Sequence, residues 1–397
     1  MVSFELSDTI RAVRDLIHTF AENQIRPVAP RHDEDESFPW EVLEKAKAIG
    51  LLLDYARPAD ESDTERAGNP VAAERNLLSA VAAEELGWGC AGITIAIQGT
   101  AFAAAPVQML GTPGQRAFFG ECLDGRDEDG HLKVASLALT EPDAGSDLSR
   151  VATTAVKDGG CYVLNGRKQF ATNGSLASIY VVWASVDSAA GRAGLRAFLV
   201  PRGTPGLIPG KKERKLGIRA SDTAGVILED CRVPAAQMLE PRTPQRGGAK
   251  GVLDATRPMV GALSLGVARA GLEVATEYAR ERVQFGEPIA KKQGVAFQLA
   301  DMAMEIEAAR GLVWKAVWLA DRGIPNAAIA AMSKAKAAAV AMDVTTRAIQ
   351  ILGGYGFCRD YPVEKWFRDA KIMDIFEGTG QIQRTIIAQE LTGLDCK

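Results

Sequence analysis

The sequence predicts a mainly α chain with an inserted β domain: an N-terminal helical domain, a middle antiparallel β domain and a C-terminal bundle of long antiparallel helices. Three observations predict it. Apolar residues recur at three- and four-residue steps through the first third; short β-type runs broken by Gly, Pro and Asn follow from His131; the helical period returns in long stretches after Gly247-Gly248. At 397 residues the chain exceeds what one hydrophobic core usually serves. The expected domains are residues 1–130, 131–245 and 246–397.

From Asp8 to Ile25, Ile10, Val13, Leu16, Ile17 and Phe20 form a helix face. Val71 to Leu86 and Thr94 to Leu110 are Ala-rich with little turn chemistry, and Thr112-Pro113 starts a further helix toward Leu123, with proline suited to the first turn. The polar stretch from Gly125 to Gly130 ends this unit. Strands are expected at Val151–Val156, Cys161–Leu164, Ile179–Trp183 and Ala197–Val200. Leu253–Arg282, Lys292–Ala320 and Asn326–Leu352 then read as long antiparallel helices, of the kind that commonly continue across a subunit interface. Two shorter helical patterns, Trp366–Ile375 and Gln381–Leu391, close the chain, with Thr379 as N-cap of the second.

Composition removes whole classes of function. With 46 Lys plus Arg against 50 Asp plus Glu, net charge is -4, which offers no electrostatic footprint for nucleic acid. No uninterrupted apolar run reaches the roughly 18 residues of a membrane span, and the N-terminus reads as an amphipathic helix rather than a signal peptide, so a soluble, cytoplasmic protein is expected. The six cysteines lack any C-x-x-C and read as buried free thiols. His18, His32 and His131 lack ligand-spaced partners, so no metal is expected.

The chemistry-bearing segments are few. Glu377 is a lone carboxylate in the Gly-rich joint Phe376-Glu377-Gly378-Thr379-Gly380, either a solvated loop residue or a base. In Leu139-Thr140-Glu141-Pro142-Asp143-Ala144-Gly145-Ser146-Asp147 a strand runs into a turn whose amides and hydroxyls could face a flavin and a pyrophosphate, or which is an ordinary β-turn. Phe170-Ala171-Thr172 offers an aromatic and a hydroxyl to one face of a planar ring. Arg280 to Gly286, with Lys292-Gln293, sits at a break between two long helices and presents guanidinium and amide donors to phosphates, or is a solvated helix end. Gln350-Ile351-Leu352-Gly353-Gly354 is a helix end that permits close approach to a ligand, or a plain glycine C-cap. No G-x-G-x-x-G follows a strand and no P-loop is present, so a nucleotide would be held differently.

Taken together, TEPDAGSD at 140–147, DATRP at 254–258, ERVQFG at 281–286, QILGGYGF at 350–357 and EGTGQIQR at 377–384 resemble the acyl-CoA dehydrogenase family, most closely its medium-chain-like members, from the first helix to about residue 393. The resemblance implies a tetrameric flavoprotein with an N-terminal helical domain, a middle β domain and a C-terminal four-helix bundle, and with FAD shared between subunits. Leu137, Leu139, Thr140, Gly145, Ser146, Phe170, Ala171 and Thr172 would hold the cofactor within one subunit. Arg282, Gln284, Phe285, Gln293, Gln350, Gly353 and Gly354 would reach in from the neighbour, with Thr379 and Gln381 completing the contacts. Ser146, Asp254, Arg257 and Gly378 match positions near the acyl-CoA. Gln98, Ala101, Phe102 and Ala105 match the helix that in the family usually closes the acyl pocket, although an Ala-rich helix also serves simple close packing.

Glu377 falls on the family's catalytic base, which takes the α-proton of the thioester while the flavin accepts a hydride from the β-carbon. A trans-2-enoyl-CoA would result, with electrons passing to an electron-transfer flavoprotein. An acyl-CoA oxidase, or a catalytically silent subunit of a dehydrogenase-like assembly, are the competing expectations. The chain departs from the family pattern at Phe170, where Trp is typical, at Gly380, where Ser is frequent, and in a polar insertion from Tyr55 to Pro70.

Overall fold

A computed structural model describes residues 5–52, 74–240 and 249–395. The polar insertion at 55–70 and Cys396 lie outside them. Helix α1 (Asp8–Phe20) begins at Ser7, whose hydroxyl accepts from the Ile10 amide at 3.5 Å, and continues through a π turn at Ala21–Ile25. After α2 (Ala29–Glu34) and α3 (Trp40–Ala48) come α4 (Arg75–Gly89), α5 (Ala91–Leu110) and α6 (Pro113–Leu123). The Thr112-Pro113 start is a full capping box: Thr112 accepts from the Gln115 amide, and the Gln115 side chain accepts from the Thr112 amide. The C-terminal helices are α7 (Ala249–Glu281), α8 (Gln293–Asp321), α9 (Ala327–Leu352), α10 (Val363–Met373) and α11 (Gly380–Thr392).

The helices before and after the β region bury one common core. Ile17, Phe20, Leu43, Leu86 and Ile93 belong to the same buried cluster as Leu263, Met302, Val313, Val344 and Trp366. The crossing of α4 and α7 depends on glycines: a Cβ on Gly87 would lie 2.6 Å from the Leu263 carbonyl oxygen, and one on Gly266 would lie 2.1 Å from the Glu84 carbonyl oxygen. Backbones this close leave no space for a side chain at either position. Helices α5 and the Asp254–Glu281 part of α7 have the length and hydropathy of a membrane span, yet most of each is buried inside the fold. They are core helices, covered on several sides and therefore apolar nearly all round.

Between the helical parts lies an eight-stranded sheet. Its strands are β1 (Ala135–Ala138), β2 (Thr154–Asp158), β3 (Cys161–Thr172), β4 (Ile179–Ser185), β5 (Leu195–Pro201), β6 (Leu207–Lys212), β7 (Thr223–Pro234) and β8 (Met238–Leu239). Their order is β6-β7-β3-β2-β4-β5-β8, with β1 beside β4. Pairing is antiparallel except for β1 with β4 and the single β2–β4 bridge, which are parallel. The chain between β1 and β4 is long enough to return β4 in the direction of β1, as parallel pairing requires. Every residue of β4 is buried. Ile179, Val181 and Trp183 face a core with α5 and α6, while Tyr180, Val182 and Ala184 face a second core with β3 and β7. In β3 the register against β7 shifts between Lys168 and Ala171. That bulge turns the exposed Phe170 out of the sheet.

Candidate active site

Helix α10 ends where Ile372 accepts from the amides of Ile375 (2.8 Å) and Phe376 (3.1 Å). The chain then reverses through Glu377 (φ 55°) and Gly378 (φ 93°) before Thr379, whose hydroxyl accepts from the Ile382 amide, caps α11. A carboxylate residue at positive φ is unfavourable unless its surroundings impose it. Here they do. The Gly378 carbonyl accepts from Lys334 Nζ of α9 at 2.7 Å and from Gln383 Nε2 of α11 at 2.9 Å, while Gln383 also reaches the Glu377 carbonyl at 3.4 Å.

The half-buried Glu377 side chain accepts a 2.6 Å hydrogen bond at Oε2 from Thr256 Oγ1 of α7. One residue on, buried Arg257 pairs with Asp254 one helical turn back. Burial raises the Glu377 carboxyl above its ordinary range; the Thr256 hydrogen bond and the charges of Arg257 and Lys334 oppose this and lose. Lys334 is itself pushed down to about 8 by burial, against the attraction of Asp374 and Glu377 and with the repulsion of Arg257. A carboxylate lifted toward neutrality and held by one hydroxyl is suited to accept a proton from carbon.

A second constellation joins the 139–147 turn to β3. Glu141 accepts from the amides of Ala152 (2.7 Å) and Thr153 (3.0 Å), from the Thr153 hydroxyl at 2.5 Å and from Lys168 Nζ at 2.7 Å. Lys168 has two acceptors, Glu141 and the Leu139 carbonyl at 3.2 Å. Burial therefore brings Lys168 down to about 8, while the richer set of donors holds Glu141 below the usual carboxylate range against its own burial. The Thr140 carbonyl accepts from the Gln169 amide at 2.8 Å, and the Thr172 carbonyl accepts from the Ser136 hydroxyl at 2.7 Å. Leu137, Leu139, Thr140, Ala171 and Thr172 thus lie in one fabric, with Gly145, Ser146 and Phe170 (φ 58°) exposed on it.

The third group surrounds an open cleft of about 470 Å³ whose lining includes Arg282, Gln284, Gly353, Gly354, Tyr355 and Cys358. Gly353 (φ 63°) ends α9, and a Cβ there or on Gly354 would meet open space. Phe285 (φ 54°) is 93% exposed beside it, with Lys292 Nζ 5.8 Å from its ring centre. A guanidinium, an amide and two glycines, beside the exposed Phe285 ring, could hold a flat group carrying phosphates.

The structure thus brings together Glu377, Gly378, Thr379, Asp254 and Arg257 in one place, and Arg282, Gln284, Gly353 and Gly354 in another. Gln293, Gln350 and Gln381 are exposed near the ends of their helices and do not line the cleft, whereas Gln98 is half-buried on α5. Sequence reasoning missed Thr256, Lys334, Gln383, Glu141 and Lys168 as working residues. A signal for Lys334 existed: it stands four residues from Ala330 and from Ala338, both buried, so the helical period places it on the core face. Two readings need correction. Asp127, Asp129 and His131 come within 4.8 Å of one another, so His131 does have spaced acidic neighbours; Asp127 there accepts from the Asp129 and His131 amides to shape a turn. Cys90 and Cys231 are buried free thiols as expected, but Cys122 and Cys161 are only partly buried, and Cys358 is exposed where the chain leaves the Gly353–Phe357 turn along the cleft.

Three sequence families match consecutive parts of the chain: acyl-CoA dehydrogenase, N-terminal domain, at residues 7–121; middle domain at 136–231; C-terminal domain at 247–392. The chain is 38% identical over 392 residues to the short-chain-specific acyl-CoA dehydrogenase of Clostridium acetobutylicum, covering 98% of its own length and 100% of the relative's. It is similar to the solved butyryl-CoA dehydrogenase of Megasphaera elsdenii, with a TM-score of 0.88 and 38% identity over 98% of this chain and 100% of that one. It is also similar to a structure described as the electron transferring flavoprotein of Acidaminococcus fermentans, with a TM-score of 0.87 and 37% identity at the same coverage.

Proposed function

The chain belongs to the acyl-CoA dehydrogenase family, and from that premise we propose that it is an FAD-dependent enzyme oxidising a short-chain acyl-CoA to its trans-2-enoyl-CoA, with Glu377 as the base. The observation that carries this reading is the Glu377 carboxylate itself: raised by burial, oriented by Thr256 and held on a positive-φ turn by bonds to the next carbonyl. FAD, when bound, supplies the acceptor for the β-hydride. Glu377 takes the α-proton onto its carboxylate, and the Thr256 hydroxyl holds that carboxylate in one orientation while it does so. Arg282 and Gln284 would bind phosphate oxygens and Phe285 would cover a ring, with the residues at 137–146 and 170–172 bearing the other side of the cofactor. Ser146, Asp254, Arg257 and Gly378 would border the acyl-CoA, with Gln98 lining the acyl end.

We assign three domains with boundaries at 130/131 and 245/246, a homotetramer, and an electron-transfer flavoprotein as acceptor, in keeping with the description of one similar structure. The oxidase reading is tested by peroxide formation in air against dye reduction under anaerobic conditions. The protein is expected to purify yellow and to release FAD on denaturation; a colourless protein that takes up no added FAD overturns the reading. Because Arg282 and the 140–146 turn would belong to different subunits around one cofactor, Arg282→Ala should give a tetramer depleted in flavin, as light scattering and absorbance together report. A fully flavin-loaded monomer of the wild type would contradict the shared site.

The Thr256 hydrogen bond favours the charged form of Glu377, so Thr256→Val should raise the carboxyl further. A base works deprotonated. The rate of anaerobic flavin reduction by butyryl-CoA should therefore rise with pH along a limb above the ordinary glutamate value, and that limb should move to higher pH in Thr256→Val. A limb at the ordinary glutamate value in both proteins would place the base in water.

A further inference from the structure

We infer that Lys334 is the positioning residue of the base: its ammonium fixes the Glu377-Gly378 turn through the Gly378 carbonyl and adds to Arg257 a positive charge that eases ionisation of Glu377. This rests on Glu377 being the base. Lys334 is fully buried on α9, and its Nζ lies 2.7 Å from the Gly378 carbonyl oxygen. The same carbonyl already has a neutral donor in Gln383 at 2.9 Å. A second neutral donor would complete its two lone pairs, so the hydrogen bond alone gives no reason to bury an ammonium, which is costly.

The charge has a reason. The base lies in surroundings that favour its neutral form, and the other cation nearby, Arg257, is engaged in an ion pair with Asp254. The charged groups acting on Lys334 are Asp374 and Glu377 from the segment after α10 and Arg257 from α7, which is paired with Asp254; Arg384 of α11 is directed to the Gly380 carbonyl at 2.9 Å. Between two carboxylates and one already paired guanidinium, the ammonium offsets part of the burial that would otherwise protonate Glu377.

The test is the pH dependence of anaerobic flavin reduction by butyryl-CoA in Lys334→Met, Lys334→Gln and Lys334→Arg, with flavin content measured in each and Glu377→Gln run alongside. Lys334→Met should retain flavin, reduce it about tenfold more slowly at its limiting pH, and show the acid limb displaced upward by about one unit. Lys334→Gln, which keeps a donor for the carbonyl and loses only the charge, should show the same displacement with a smaller loss of limiting rate, and it carries the test if the methionine variant does not fold. Lys334→Arg should restore the limb. Limbs in the neutral variants that coincide with wild type, while Glu377→Gln is inactive, overturn the role of Lys334 alone. Wild-type reduction rates in Glu377→Gln overturn the parent reading whatever the lysine variants do.

Discussion

Glu377→Gln is expected to keep its flavin and bind acyl-CoA but to lose reduction of the flavin by substrate, by a factor on the order of 10² to 10⁴. The amide preserves the shape of the side chain and can still meet the Thr256 hydroxyl, so the turn with its positive φ at Glu377 and Gly378 should persist. It cannot accept a proton from carbon. Within the site, Asp254 is engaged by Arg257, and all three histidines lie in the first third of the chain, outside the turn and its α7, α9 and α11 contacts. Stopped-flow bleaching under anaerobic conditions, mutant beside wild type, reads the effect directly. Bleaching at near wild-type rate with unchanged flavin content would make Glu377 a loop carboxylate and send the search for the base elsewhere.

Removing Glu141 should have the largest effect on stability. In Glu141→Ala, the buried Lys168 ammonium loses its counter-ion, and the Ala152 and Thr153 amides lose their acceptor. Breaking one side of a buried pair costs about 3–5 kcal/mol, and the unpaired amides add to it. The loss should appear as a lower denaturation midpoint together with weaker flavin retention, because the same residues tie the 139–147 turn to β3 beside Phe170. Lys168→Met on top of Glu141→Ala should recover part of the stability by removing the stranded charge. The wild-type contribution depends on pH with a definite sign: Glu141 is held below its ordinary range in the fold, so its stabilisation is complete above the ordinary glutamate value and is lost as pH falls toward the folded one. A midpoint and flavin content that Glu141→Ala leaves unchanged would show that the turn does not depend on this pair.

The helices with strong periodicity were legible to within a few residues: α1 with its π extension, the Thr112-Pro113 start of α6, α8, α9, and the Thr379 cap of α11 all stand where apolar spacing and capping chemistry put them. Four strands were named from the sequence, and β3, β4 and β5 among them were read short, as in β3, which runs from Cys161 to Thr172 rather than to Leu164, while β6, β7 and β8 were not named. Its later half carries Arg167, Lys168 and Gln169 and a bulge, which interrupt the alternation that marks a strand. The parallel place of β1 against β4 had no local signal, since pairing partners distant in sequence leave no trace in either strand alone.

By itself the sequence determined the order of helices, sheet and helices and the family, and it singled out Glu377 as the candidate base, because periodicity, caps and short motifs are properties of neighbouring residues. Tertiary structure alone decided what surrounds that carboxylate. Thr256, Lys334, Glu377 and Gln383 come from α7, α9, the turn after α10 and α11, and the spacing among them in sequence says nothing of a 2.6 Å hydrogen bond or of two donors on one carbonyl. The elevated carboxyl of Glu377 is likewise a product of packing: desolvation and neighbouring charge depend on distances that exist only once the helices have closed around it.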